Sequence, residues 1–198
     1  MKQKNNNKQL IIYSDLHLGA SHSVGSYQEL IELKDITNVY LLGDIIDMRN
    51  VKKRHIKRWE RRIRRLELKF GDHYIAGNHE CKYKIDNSFN SFDGITLTHG
   101  HILDWTNAKV QEWQKSSGGK GKFGRFFYAI YKVGIMRAKK KSKPYTPSNK
   151  LINNVDFECR YRQSNALIMG HKHHTCDITT PQGNRFITVG RGKTEINL

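Results

Sequence analysis

The sequence predicts an α/β fold interrupted by a helical insertion, and three observations carry that expectation. Short apolar runs of strand length alternate with segments of helical periodicity. Five polar blocks each follow directly on a strand-like run: Asp15-Leu16-His17, Gly43-Asp44-Ile45-Ile46-Asp47, Gly77-Asn78-His79-Glu80, Thr98-His99-Gly100-His101 and Gly170-His171-Lys172-His173. Residues 102–165 then break the alternation with helix-like segments.

Gln9 to Ser14 reads as a buried strand, with Leu10, Ile11, Ile12 and Tyr13 in succession. A helix follows around Ser26 to Lys34, offering Leu30, Ile31 and Leu33 to a core. Asn38 to Leu42 is the next strand, ending at Gly43-Asp44. In the basic segment that follows, Ile56, Trp59, Ile63, Leu66 and Phe70 recur every three or four residues. That spacing predicts a helix with one apolar stripe inward and its Arg and Lys residues outward. Further strands are expected at His73 to Ala76, Ile95 to Thr98 and Ala166 to Met169, with Arg185 to Val189 closing the series. Within the insertion, Ile102 to Gln114, the very apolar Phe123 to Ala138 and Leu151 to Arg162 read as helices. Ser116 to Lys122 is a flexible hinge that lacks the spacing of a phosphate-binding P-loop, and Lys139 to Pro147 is a basic turn.

A chain of 198 residues fits one domain, residues 1–198, with the insertion inside it. Apolar residues make up 37%, and no run approaches the roughly 18 that a membrane-spanning helix needs. The basic start, Met1 to Lys8, is followed by too short an apolar run for a signal peptide, so the expected location is the cytoplasm. Cys81, Cys159 and Cys176 are odd in number and widely spaced, which argues against a disulfide framework.

The net charge of +17 is concentrated in two places. Residues 49–70 hold eleven Lys or Arg against Glu60 and Glu67, and residues 105–150 hold twelve against Glu112. A field of one sign this large suits a polyanion. Nucleic acid contacting Arg54, Arg58, Arg61, Arg62, Arg65 and the lysines of 120–143 is one expectation, and peripheral contact with an anionic membrane is another. A solvated surface that serves solubility is the third. Trp59, Trp105, Trp113, Phe123 and Tyr128 could stack on bases, although packing is the commoner use of such residues.

The five blocks supply carboxylates, an amide and several imidazoles, about what two divalent ions sharing a ligand require. Alone, each has an ordinary explanation, such as Asp capping a helix. In this order, each behind a strand, they point to hydrolysis of a phosphoester. Loops beyond the ends of parallel strands are where α/β folds place ligand sites.

The pattern D-x-H, G-D-x-x-D, G-N-H-[DE], H-G-[DH], G-H-x-H resembles the calcineurin-like metallophosphoesterases over nearly the whole chain outside the insertion. In layout the chain is most similar to the UDP-2,3-diacylglucosamine hydrolase branch. It shares the opening Ser14-Asp15-Leu16-His17-Leu18-Gly19, an insertion between the fourth and fifth blocks, and Pro144-Tyr145 within it. The resemblance implies an α/β sandwich, two central sheets flanked by helices, with a helical cap at 102–165 lying over the site. It implies that Asp15, His17, Asp44 and His173 hold one divalent ion, and that Asp44, Asn78, His99 and His171 hold a second. Asp44 would bridge them, manganese being expected and iron or zinc the alternatives. A hydroxide between the ions would attack phosphorus. His79 would face the substrate, oriented by Asp47. The chain departs from the branch at His79, where the branch often has Arg, and at Val189-Gly190-Arg191-Gly192, where it has Gly-Asp-Trp. His101 stands where many relatives have Asp.

The leading expectation is therefore cleavage of a phosphodiester or pyrophosphate bond in a nucleotide or nucleic-acid-like substrate. The alternatives are a UDP-sugar-lipid pyrophosphatase at the membrane surface and an inactive nucleic-acid-binding module. His22 and His174 are expected to face solvent, with ligation the alternative, Lys172 to touch phosphate or point away, and Arg191 to be a surface residue, with closure on an anion the alternative.

Overall fold

In the computed structural model, which describes residues 9–80, 89–104 and 145–198, alternation along each strand feeds two different cores. On β1 (Gln9–Ser14), Leu10 and Ile12 face one core while Ile11 and Tyr13 face another. On β2 (Val39–Leu42), Tyr40 and Leu42 join the first and Val39 and Leu41 the second. These runs are apolar throughout because both faces of the sheet are covered. β3 (Tyr74–Ile75) pairs parallel to β2, and β2 parallel to β1.

The second sheet carries β4 (Phe89–Phe92), β5 (Ile95–Thr98), β6 (Ala166–Met169), β7 (Cys176–Thr179) and β8 (Arg185–Thr188) in the order β4-β5-β6-β8-β7. Its middle strands β5, β6 and β8 are parallel. Ala166 and Ile168 of β6 face the first sheet, meeting Leu10, Ile12 and Leu42 in a shared interior. Leu167 and Met169 face the opposite way. The chain closes with β9 (Gly192–Asn197), antiparallel to β1, so the first sheet runs β3-β2-β1-β9. The fold is an α/β sandwich with two facing sheets and helices outside both.

On the outside of the first sheet lie α1 (Tyr27–Glu32) and α2 (Ile56–Phe70). Ser26 caps α1 by accepting the Glu29 N–H at 3.1 Å, the Ser-x-x-Glu signature of a helix start. α2 buries Ile63, Leu66 and Phe70 and turns its basic side outward, as its spacing predicts. On the outside of the second sheet, α3 (His101–Asp104) precedes α4 (Asn149–Tyr161). Leu151, Val155 and Cys159 of α4 pack on Leu167, Met169 and Phe186. Among the described residues no helix is long and apolar enough to cross a membrane.

Strands β4, β7 and β9 are absent from the sequence expectation, in which Arg185 to Val189 was to be the last strand. All three lie at sheet edges. An edge strand needs only one neighbour's backbone and is half solvated, so Cys176-Asp177-Ile178-Thr179 and Gly192-Lys193-Thr194-Glu195-Ile196-Asn197 carry little apolar signal. The helix expected from Ile102 starts at His101, and its continuation beyond Asp104 lies outside the described residues. So do the Ser116 to Lys122 hinge, the Phe123 to Ala138 segment, the lysines of 120–143, Trp105, Trp113, Tyr128 and Cys81.

Candidate metal centre

Residues Asp15, His17, Asp44, Asn78, His99, His171 and His173 all follow the C-terminal ends of parallel strands, and the two sheets bring those ends together. Backbone hydrogen bonds tie the first two loops: Asp15 N to Gly43 O at 3.0 Å, and His17 N to Asp44 O at 2.9 Å. His79 N donates to Asp44 Oδ1 at 2.8 Å, joining the third loop. From the second sheet, His171 N donates to Asp15 Oδ2 at 3.0 Å, and His173 Nε2 meets Asp15 Oδ1 at 3.0 Å.

Donor atoms converge in overlapping groups, each within 4.8 Å: Asp15 with His17 and His173, and Asp44 with His99 and His171. Two more combine His17 and Asp44 with His79, and His17 and Asp47 with His22. Asn78 joins the second group through its Oδ1, 3.1 Å from His99 Nε2. Asp44 Oδ2 lies 3.5 Å from His99 Nε2 and 3.9 Å from His17 Nε2, between the two groups.

Three features fit a pair of cations. First, both ring nitrogens of His17 are shut off from solvent without a hydrogen bond among the described residues, and Nε2 is 3.9 Å from an oxygen of Asp15 as well as of Asp44. A buried lone pair aimed between two carboxylates is costly unless a cation completes it. Second, the Leu42 carbonyl accepts His99 Nδ1–H at 2.8 Å, which leaves Nε2 for Asp44 and Asn78. Third, the described residues with positive φ outside glycine are Asp15, His17, Asp44, Asp93, Gln163, His171 and His173, and five of these seven are expected ligands. Left-handed backbone at such residues costs about 1–3 kcal/mol each and persists where the surroundings impose it, as at functional sites.

The electrostatics follow from burial. Burial favours the neutral form of Asp44, but His79, His99 and His17 outweigh it and hold its carboxyl well below the usual range. Burial likewise opposes the charged form of His99, yet Asp44 and Asp15 push it up to about 9. A cation bound at Nε2 would take the place of that proton. His171, buried beside the His99 charge, is pushed well below its ordinary value and stays neutral.

His79 Nδ1 lies 2.7 Å from Asp47 Oδ1, and Asp47 is steadied by Asn50 Nδ2 at 2.7 Å. His101 is buried beside His99 and His171, with ring centres 5.4 and 6.4 Å away, but belongs to neither donor group. His22 and His174 are half-buried rather than solvent-facing: His22 Nε2 is 3.8 Å from Asp47 Oδ2, and His174 stacks on Tyr145. Arg191 is half-buried. It donates to the carbonyls of Asp15 at 3.2 Å and His22 at 2.7 Å, bracing the first loop.

Glu80 is the residue that sequence reasoning passed over. Fully buried, it accepts from Ile46 N at 2.6 Å, Tyr74 Oη at 2.8 Å and Gly77 N at 3.1 Å, stitching the second block to the third. Burial and the nearby Asp44 push it up to about 7 against these donors. Its only signal in the sequence is its place in the Gly77-Asn78-His79-Glu80 block. Glu80→Ala strands three buried donors and is expected to cost about 3 kcal/mol or more, measured by denaturant unfolding. Stability within about 1 kcal/mol of the parent would refute this role.

A family model described as calcineurin-like phosphoesterase matches residues 8–175. Among curated proteins none matches the chain. Among solved structures the chain is similar to a dimetal phosphatase from Danio rerio, at 15% identity and TM-score 0.46, covering 96% of this chain and 92% of that one. It is also similar to a conserved uncharacterized protein, a predicted phosphoesterase, from Streptococcus pneumoniae, at 14% identity and TM-score 0.44, covering 96% and 83%. A third is vacuolar protein sorting 29 from Cryptosporidium parvum, at 13% identity and TM-score 0.41, covering 93% and 75%.

Proposed function

The chain belongs to the calcineurin-like phosphoesterase family and is a metal-dependent phosphoesterase, and from that premise we propose that it cleaves a phosphodiester or pyrophosphate bond in a nucleotide or nucleic-acid-like substrate. The observation that carries this reading is the pair of donor groups meeting at Asp44. In this reading Asp15, His17 and His173 would hold one divalent ion and Asn78, His99 and His171 the other, with Asp44 available to both. Mixed imidazole and oxygen donors favour manganese, iron or zinc over calcium. When bound, such ions polarise a phosphoryl oxygen and make water a nucleophile near neutral pH.

The remaining work falls to the chain itself. Asp47 fixes the His79 ring through Nδ1, so Nε2 is left to give a proton to the leaving oxygen. In the metal-free protein Asp44 and Asp47 raise His79 above its ordinary value, although burial opposes it. The strongly basic balance of the chain, +17, favours an anionic substrate over a neutral one.

A screen of purified protein tests the reading. Turnover of bis-p-nitrophenyl phosphate is expected to vanish with excess chelator and to return with manganese, iron or zinc. Nucleotides and oligonucleotides are expected to be cleaved under the same metal dependence. Turnover indifferent to chelation would refute the metal centre, and cleavage confined to UDP-linked lipids would refute the substrate class.

A further inference from the structure

A second feature has no part in the metal centre. Between α1 and α2 lies a cleft of about 350 Å³, lined by Tyr27, Gln28, Arg58, Arg61, Arg62 and Arg65. The arginines recur at i, i+3, i+4 and i+7, which puts all four guanidinium groups on one helix face. None of the lining residues is acidic. The arginine–carboxylate pairs of the described residues lie elsewhere, at Arg162–Glu158 and Arg185–Asp177.

We propose that this cleft docks the phosphodiester backbone of a nucleic acid strand, its arginines holding successive phosphates. Four guanidinium groups around one hollow, with no carboxylate partner among the described residues, repel each other until an anion enters, and each presents the planar donor fork that fits phosphate. Arg62 is already in place. Its guanidinium carbon sits 4.7 Å from the centre of the Tyr27 ring and 4.3 Å from that of Trp59, so little freedom is lost when it binds. The Tyr27 hydroxyl is shut off from solvent and has no hydrogen bond among the described residues, so it is the ring face of Tyr27, under Arg62, that serves the cleft. Burial, and then the charges of Arg58 and Arg65, weaken the hold of Arg62 on its proton. From Arg58 to Arg65 the helix rises about 10 Å, room for more than one phosphate.

A strand fits these observations better than a bilayer. The site is concave, whereas a lipid surface is met by a flat or convex face with several apolar side chains. Among the exposed large apolar residues only Leu68 belongs to α2.

The test uses the full chain with chelator present, so that hydrolysis cannot confuse binding, and does not depend on the reaction proposed above. A labelled single-stranded oligothymidylate is titrated by fluorescence anisotropy at several salt concentrations. A variant with Arg58, Arg61, Arg62 and Arg65 all replaced by Gln is compared with a charge-matched one in which Lys34, Lys52, Lys150 and Arg160 are replaced. Gln keeps good helix propensity at these positions, and circular dichroism together with thermal unfolding confirms that both variants are folded. The cleft variant is expected to lose at least about tenfold in affinity, and its salt slope to flatten by about 1.4 to 2.8, for two to four lost phosphate contacts. Equal losses in the two variants would overturn the proposal. So would an unchanged oligonucleotide affinity in the cleft variant alongside lost sedimentation with phosphatidylglycerol vesicles.

Discussion

Asp44→Asn is expected to reduce metal-dependent phosphodiester turnover about a thousandfold or more, well beyond the 10- to 100-fold typical of losing a group that only orients a ligand. Asparagine preserves the shape, and its carbonyl oxygen can still accept the His79 N–H that Asp44 Oδ1 accepts now. What it removes is charge at the one oxygen that faces His17, His79 and His99 together, at 3.9, 3.7 and 3.5 Å. That oxygen lies where both donor groups meet, so losing it weakens both ions and not one. The check is kcat/KM together with metal content by elemental analysis. In the metal-free protein the same substitution should let the His99 imidazolium, now pushed up to about 9 chiefly by Asp44, titrate lower. Parental turnover in the variant would overturn the assignment of Asp44 as the shared ligand.

Gly77→Ala is expected to destabilise the fold by more than about 3 kcal/mol, or to prevent the protein from accumulating. The cause is space, since Gly77 is not in the left-handed region. A Cβ there would run into the backbone nitrogen and the Oδ1 of Asp44. Neither can move far, because Asp44 Oδ1 is held by His79 N and its carbonyl by His17 N. Relaxation would therefore shift the bridging carboxylate itself. Gly190→Ala is the control: among the described residues a Cβ there meets only the Thr175 methyl at 3.4 Å, an ordinary contact. Calorimetry of the two variants should show a large loss for the first and little for the second. Equal melting temperatures would mean that the second and third loops do not pack as closely as described.

The expected metal ligands were legible because metal chemistry restricts them to a few residue types in short windows. Asp15-Leu16-His17 and Gly170-His171-Lys172-His173 are each ordinary alone, and become telling because five such blocks recur in order with a strand before each. The buried strands and α2 were legible for a similar reason, since both faces of β1, β2 and β6, and one stripe of α2, must be apolar. Glu80 and Arg191 were not legible. They act on backbone groups supplied by other segments, Ile46 N in one case and the carbonyls of Asp15 and His22 in the other. No residue type signals such a bond in advance. The edge strands β4, β7 and β9 were hidden because their pairing is satisfied by backbone alone.

By itself, the sequence determined which side chains are available for metal chemistry, which runs are buried, and where the positive charge is carried. Only the tertiary structure decided that loops 156 residues apart, at Asp15 and His171, share a hydrogen bond, that five expected ligands adopt left-handed backbone, and that four arginines line one hollow with Tyr27. The reason is physical. Residue type and spacing set what a segment can bury or bind, whereas the distance between segments is set by two sheets packing face to face.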